Sequence, residues 1–102
     1  MASEPRLSAQ TLKVLGAFLS SSTCELSGAQ LGATSKLASG TLYPMLIRLE
    51  AAGWLSSRWE NDDPHVLQRP RRRYYRLTAD GVRKSHAAFA EIQSTVGGFR
   101  WA

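Results

Sequence analysis

Residues 39–60 read SGTLYPMLIRLEAAGWLSSRWE, and a change of period inside this stretch decides the fold. Leu42, Met45, Leu46 and Leu49 recur at spacings of three and four, which makes the first part a helix with one apolar face. Ser39 reads as its cap, and Ala52-Gly53 as its end, with Gly53 where a left-handed C-cap is favoured. Pro44 falls early in the helix and removes one backbone bond, implying a tight or kinked start. From Trp54 the period drops to two: Leu55 and Trp59 share one face, Ser56 and Arg58 the other. A helix over 39–52 therefore runs almost directly into a strand.

Two shorter helices are expected upstream. Ser8 can cap the first, over 8–20, with Leu7 stapled to Leu12 and with Leu12, Leu15, Phe18 and Leu19 at helical spacing. The second, over 27–34, carries a clearer signal. Ser27 caps, Gln30 completes a capping box, and Leu26 packs on Leu31. A turn near Lys36–Ala38 separates it from the helix at 39, which is the size and order of a helix-turn-helix.

Downstream, a polar loop over 61–70 leads into RPRRRYYRLT, Arg69 to Thr78. Its five arginines equal the entire formal net charge of +5. The Tyr74-Tyr75 pair and the Leu77-Thr78 end make it a strand, at about 71–78, and not a floppy basic tail. Two strands joined by this loop form a hairpin over 54–78 behind the helix-turn-helix, which is a winged helix. Thr78 can cap a last helix over 79–97, with Asp80 in its first turn. Val82, Ser85, Phe89, Ile92, Val96 and Phe99 form an a/d-like seam along it, and Gly97-Gly98 is expected to end the helix before Phe99. The fold class is thus mainly α with a small β-hairpin (α+β): a three-helix core, a two-stranded wing and a C-terminal dimerisation helix. The 102 residues make one domain, with residues 1–6 expected to fray.

Composition narrows the function classes. No apolar run approaches the roughly 18–20 residues of a membrane span, and the N-terminus does not read as a secretory signal. The single cysteine, Cys24, fits a reducing compartment and reads as a small buried thiol, with a redox sensor as the alternative. A cytoplasmic protein working on the chromosome is the expectation. His65 and His86 stand at no metal-ligand spacing with Cys24, no glycine-rich phosphate loop follows a strand, and no nucleophile has an evident base. No enzyme, cofactor or metal is expected.

A concentrated positive charge on an ordered strand calls for a polyanion, most commonly nucleic acid. Opposite its core face, the 39–52 helix presents Gly40, Thr41, Pro44, Ile47 and Arg48, with Tyr43 at the flank. Small and hydroxyl residues near a helix N-terminus allow close approach to a groove, and Arg48 can reach a phosphate or a guanine edge. Lys36 and Ser39 join this set from the preceding turn. By strand alternation Arg71 and Arg73 share one face, Arg72 and Arg76 the other. The tip arginines, Arg69, Arg71, Arg72 and Arg73, are expected on phosphates or in a minor groove, and Arg76 is expected to pair internally with Glu60. On the last helix, Val82, Phe89, Ile92 and Val96 form an apolar stripe expected to make a homodimer. Phe99 and Trp101 either close that interface or lie loose, and a small-molecule effector would sit near Phe89, Ile92 and Trp101.

The segments SGTLYPMLIRLEAAGWL, Ser39 to Leu55, and RPRRRYYRLTADG, Arg69 to Gly81, resemble the PadR family of bacterial transcriptional regulators. The Gly-Thr-Leu-Tyr-Pro start of the helix, the Arg-Leu-Glu stretch, the Gly before the wing, the Arg-Pro-Arg and the Tyr-Tyr-Arg-Leu-Thr carry the resemblance. It covers roughly residues 8–96. It implies a winged helix-turn-helix that dimerises through its terminal helices, binds a palindromic operator in double-stranded DNA and usually represses. Three departures stand out. Gln68 takes a place where family members often have Gly, Asp62 and Asp63 lie in the wing loop, and the long C-terminal region of larger members is absent, as in a short type. The alternative is a winged-helix interaction module that contacts RNA or an acidic protein partner.

Overall fold

In the computed structural model, residues 5, 7–22 and 25–100 are described, the last seven of them by backbone alone. The element order is α1 (Ala9–Ser20), β1 (Leu26–Ser27), α2 (Gly28–Ser35), α3 (Ser39–Ala51), β2 (Leu55–Trp59), α4 (Pro64–Leu67), β3 (Arg73–Leu77) and α5 (Ala79–Arg100). Cys24, with its expected burial, lies outside the described residues.

Local chemistry sets most of these boundaries. Ser8 caps α1, accepting from Thr11 N–H at 3.2 Å. The capping box of α2 is complete: Gln30 N–H donates to Ser27 Oγ at 3.1 Å, and Ser27 N–H to Gln30 Oε1 at 2.8 Å. Lys36 ends α2 in the left-handed conformation at φ 60°, its N–H on the Gly32 carbonyl. Expectation and structure part at α3. Its cap is Ala38, which makes no side-chain bond, and Ser39 is already the first helical residue. The Ala38 carbonyl accepts from both Thr41 and Leu42, so backbone alone starts this helix. Gly53 takes φ 85° at the far end, as the C-cap reading required.

The sheet has three strands, ordered β1-β3-β2, where a two-stranded hairpin was expected. Leu26 and Ser27 pair antiparallel with Tyr75 and Tyr74, adding a two-residue strand too short to show any period. In the β2–β3 ladder Leu55 faces Leu77, Ser56 faces Arg76 and Trp59 faces Arg73. The loop between them holds α4, with Pro64 in its first turn, capped by Asp63 and closed by Gln68 in the left-handed region at φ 55°. A polar loop without periodicity gave no warning of it.

The core joins α1, α2, α3 and the sheet through Val14, Leu15, Leu31, Leu42, Leu46, Leu49, Trp54 and Leu55, all nearly inaccessible. α5 seats on this body through Gly81, Ser85 and Ala88, with Phe89 half-buried against it. Close approach explains the glycine: a Cβ on Gly81 would stand 2.9 Å from the Trp54 carbonyl carbon. Thr78 joins the two helices, its hydroxyl donating to the Gly53 carbonyl at 2.6 Å and accepting from Gly81 N–H at 2.9 Å. The α5 backbone continues through Gly97-Gly98 to Arg100, past the end expected at residue 97. Two glycines cost helix stability without forbidding the helix.

Candidate nucleic-acid interface

The faces of α3 follow from its burial. Leu42, Met45, Leu46 and Leu49 point inward, while Gly40, Tyr43, Pro44, Ile47 and Arg48 are exposed. Ile47 is the most prominent apolar side chain of this ridge, 67% exposed in its middle. Thr41 and Arg48 lie on the flank toward α1, where they line a cavity of about 450 Å³ with Ser8, Gln10 and Thr11. Tyr43 lies on the flank toward the wing. Its ring covers Gly28 at the start of α2, so closely that a Cβ there would sit 2.9 Å from ring carbons. Lys36 is exposed in the turn that precedes α3, and Ser39 is exposed at the first position of the helix.

One groove of about 490 Å³ joins this flank to the wing. Tyr43, Ser27 and Gly28 line one side, and Trp59 with Arg69, Arg71, Arg72 and Arg73 the other. Glu50 of α3 sets the spacing. It accepts the Ser57 hydroxyl of β2 at 2.7 Å and lies 3.9 Å from the Arg73 guanidinium of β3.

The five arginines do not act alike. Arg69 is bound internally, its two terminal nitrogens donating to Glu60 at 2.7 and 2.9 Å. Glu60 also accepts Arg72 N–H at 3.0 Å and the Tyr74 hydroxyl at 3.4 Å. The Arg69 guanidinium, then the Arg72 N–H, hold the Glu60 carboxyl far below its ordinary value of 4.5, at about 2. The partner of Glu60 is thus Arg69, where Arg76 was expected. In the ladder Arg76 stands opposite Ser56, near the root of the wing, whereas Glu60 follows the last ladder pair at the other end. Arg76 is exposed on the far face of the sheet, in a hollow with Ser56 and the Arg58–Glu25 ion pair.

Arg71 and Arg72 precede β3, so strand alternation does not assign them faces as expected. Arg71 donates through Nε to the Asp62 carbonyl at 3.0 Å. Arg72 bonds through its backbone, and its exposed side chain has no ion-pair or hydrogen-bond partner among the described residues. Arg73 stacks over the Trp59 ring at 5.0 Å, on the face of the sheet that looks to α3. The cations directed outward beside α3 are Arg71 and Arg72.

On α5, Val82 and Ile92 are exposed, while Phe89 packs toward Gly16 of α1 within the same chain. The Val96, Phe99 and Trp101 side chains lie outside the described residues. Among the described residues no group of His, Cys, Asp and Glu could hold a metal ion, and no helix is long and apolar enough to cross a membrane.

A helix-turn-helix with its second helix exposed along one ridge, flanked by a basic hairpin, defines a winged-helix protein. Residues 26–87 match the model of the transcriptional regulator PadR-like family, and the chain belongs to that family. Among solved structures it is similar to the disulfide-formed state of AbfR, 28% identical at a TM-score of 0.69, over 85% of this chain and 54% of AbfR. AbfR has also been solved bound to DNA in its reduced and overoxidised states. A PadR family transcriptional regulator from Eggerthella lenta DSM 2243 is 27% identical at a TM-score of 0.69, over 86% of this chain and 75% of that one. Bacillus subtilis PadR in complex with operator DNA shares the fold, at 20% identity and a TM-score of 0.65, over 80% of this chain and 48% of that one. The chain spans about half the length of AbfR. No curated protein matches it.

Proposed function

We propose that this chain is a sequence-specific transcriptional regulator of double-stranded DNA. It acts as a homodimer on an inverted-repeat operator and serves as a repressor in the cytoplasm. The observation that carries this reading is the shared groove: the Tyr43 flank of α3 and the outward Arg71 and Arg72 open onto one surface. α3 enters the major groove, where Gly40 and Pro44 permit close approach and Thr41, Ile47 and Arg48 meet base edges. Lys36, Ser39 and the wing cations Arg71 and Arg72 hold the backbone. Arg69 is left out of this set, because Glu60 occupies it. Val82 and Ile92 supply apolar surface on α5 for a second copy, continued by Val96 in the expected seam. Two reading helices then lie about 34–36 Å apart, one helical turn of DNA.

A mobility-shift titration with the DNA upstream of the protein's own coding region tests the reading. Binding that weakens steeply between 50 and 200 mM salt is the expected result. Binding indifferent to salt, or equal on a scrambled duplex, would reject it. Ile92→Asp, followed by sedimentation, tests the dimer: the variant should be monomeric. A second reading, docking to a protein partner through the wing, is favoured by two exposed apolar side chains of the hairpin region, Val66 of α4 at 79% and Trp59 of β2 at 55%.

A further inference from the structure

We propose that Glu60 is an internal counter-ion that withholds Arg69 from DNA, and so limits the sequence-independent part of the affinity and its salt dependence. This rests on the DNA-binding reading above.

Arg69 opens the basic run and lines the groove between α3 and the wing, the place where a phosphate-binding arginine would stand. Yet its guanidinium edge is already used. Both terminal nitrogens are donated to the two Glu60 oxygens, the same forked geometry with which arginine takes a phosphate. A third donation, from Arg69 Nη1 to the Pro70 carbonyl at 3.2 Å, holds the guanidinium against its own backbone. The Glu60 carboxylate is only 14% exposed and is fixed independently by Arg72 N–H and by the Tyr74 hydroxyl. It cannot swing aside without breaking those bonds as well. Glu60 N–H in turn donates to the Arg72 carbonyl at 2.8 Å, so the carboxylate sits on a backbone closed at the root of the wing loop.

An arginine held in this way contributes to neither specific nor non-specific contact, whereas Arg71 and Arg72, a few residues along, remain directed outward. The consequence is directional. Phosphate contacts carry no sequence information and raise affinity for every duplex, so each additional available arginine strengthens the competitors along with the operator. Removing the Glu60 charge should therefore increase binding to unrelated DNA, where loss of a merely structural strut would weaken binding to all DNA.

The test compares the full-length wild-type chain with Glu60→Gln, which keeps the shape and an acceptor for Arg72 N–H. Binding is measured across salt on the upstream duplex and on a scrambled duplex of equal length. On the scrambled duplex Glu60→Gln should gain about one phosphate contact per protomer. Its affinity then falls by about a further 3.5-fold per protomer between 50 and 200 mM salt. Its affinity for the upstream duplex should rise by a similar factor, so the preference between the two duplexes stays near the wild-type value. Arg69→Gln in the wild-type background should leave the salt dependence unchanged, and it serves as the test if Glu60→Gln does not fold. The double variant should return to the wild-type slope. An unchanged or shallower slope in Glu60→Gln, or a shallower slope in Arg69→Gln, overturns the assignment while leaving the DNA-binding reading intact. Wild-type protein that binds neither duplex overturns the DNA-binding reading itself, and this assignment with it.

Discussion

Ser57 of β2 donates its hydroxyl to Glu50 of α3 at 2.7 Å, so the wing is bonded to α3 in that helix's last turn. Arg73 approaches the same carboxylate from β3, which ties both strands of the wing to one side chain. In the proposed complex a helix in a groove and a wing on the adjacent backbone must keep a constant separation, and this carboxylate would maintain it. Glu50→Ala should cost about 1.5–3 kcal/mol of stability, the range for hydrogen bonds to a charged group. It should weaken operator binding more than that loss explains, because the wing is no longer aligned. Urea unfolding beside a binding titration separates the two effects; equal loss in both would reduce Glu50 to a stabilising role.

The exposed ridge and the wing cations should give different mutational signatures. Ile47 is the most exposed apolar group of the ridge and the candidate to meet a thymine methyl, at a site where a mismatched base pair costs roughly 1–3 kcal/mol. Ile47→Ala should alter which operator bases are preferred and leave the salt slope unchanged. Arg72→Ala should do the reverse, weakening every duplex alike and lowering the slope by about 0.9 per protomer. Binding selections on randomised half-sites, run with both variants at two salt concentrations, check this pair.

Gln68 sits at φ 55° and ψ 34° where α4 ends, a conformation that favours glycine. A glycine, which the family resemblance leads one to expect at this place, would adopt this conformation without strain. Gln68→Gly should stabilise the chain by roughly 0.5–1 kcal/mol, relief of left-handed strain exceeding the added entropy of the unfolded chain. A lower urea midpoint would show that the Gln68 side chain contributes more than its backbone costs.

Gly81 should tolerate no side chain. A Cβ would approach the Trp54 carbonyl and stand 3.1 Å from its Cα, and backbone on both sides cannot yield as a flexible side chain would. Gly81→Ala should lose about 2 kcal/mol or more, despite alanine's better helix propensity. Thermal unfolding within a few degrees of wild type would mean that α5 can shift on its seat.

Acid should act on the wing through Glu60. Its carboxyl titrates near 2 when folded and near 4.5 otherwise, so the unfolded chain binds the proton more readily. The stabilisation is therefore complete above pH 4.5 and is lost as pH falls through 2. Stability measured between those limits should decline less steeply in Glu60→Gln than in wild type, and Trp59 fluorescence should report the loosening. Parallel pH profiles would exclude the effect.

Much of this architecture is legible in the sequence itself. The Leu42–Leu49 spacing, the Ser27–Gln30 box, the Thr78 cap and the Gly53 terminus are local signals. Each depends on residues within a turn or two of one another, and the folded chain uses them as written. The Ser39 cap was off by one residue because a backbone carbonyl did the work that a hydroxyl was expected to do. The β1 strand and the α4 turn were invisible, since two and four residues cannot display a period.

What the chain's order of residues determined by itself is a helix-turn-helix, a basic wing and a face of α3 turned away from the core. Tertiary structure decided which arginine is available. Sequence shows five like charges in eight positions, but a carboxylate nine residues from Arg69 binds one of them, an indole stacks on another, and ladder register carries a third to the far face. Charge is a property of the residue. Its availability depends on which neighbour the fold brings within 3 Å, and that distance is set by the closing of the wing.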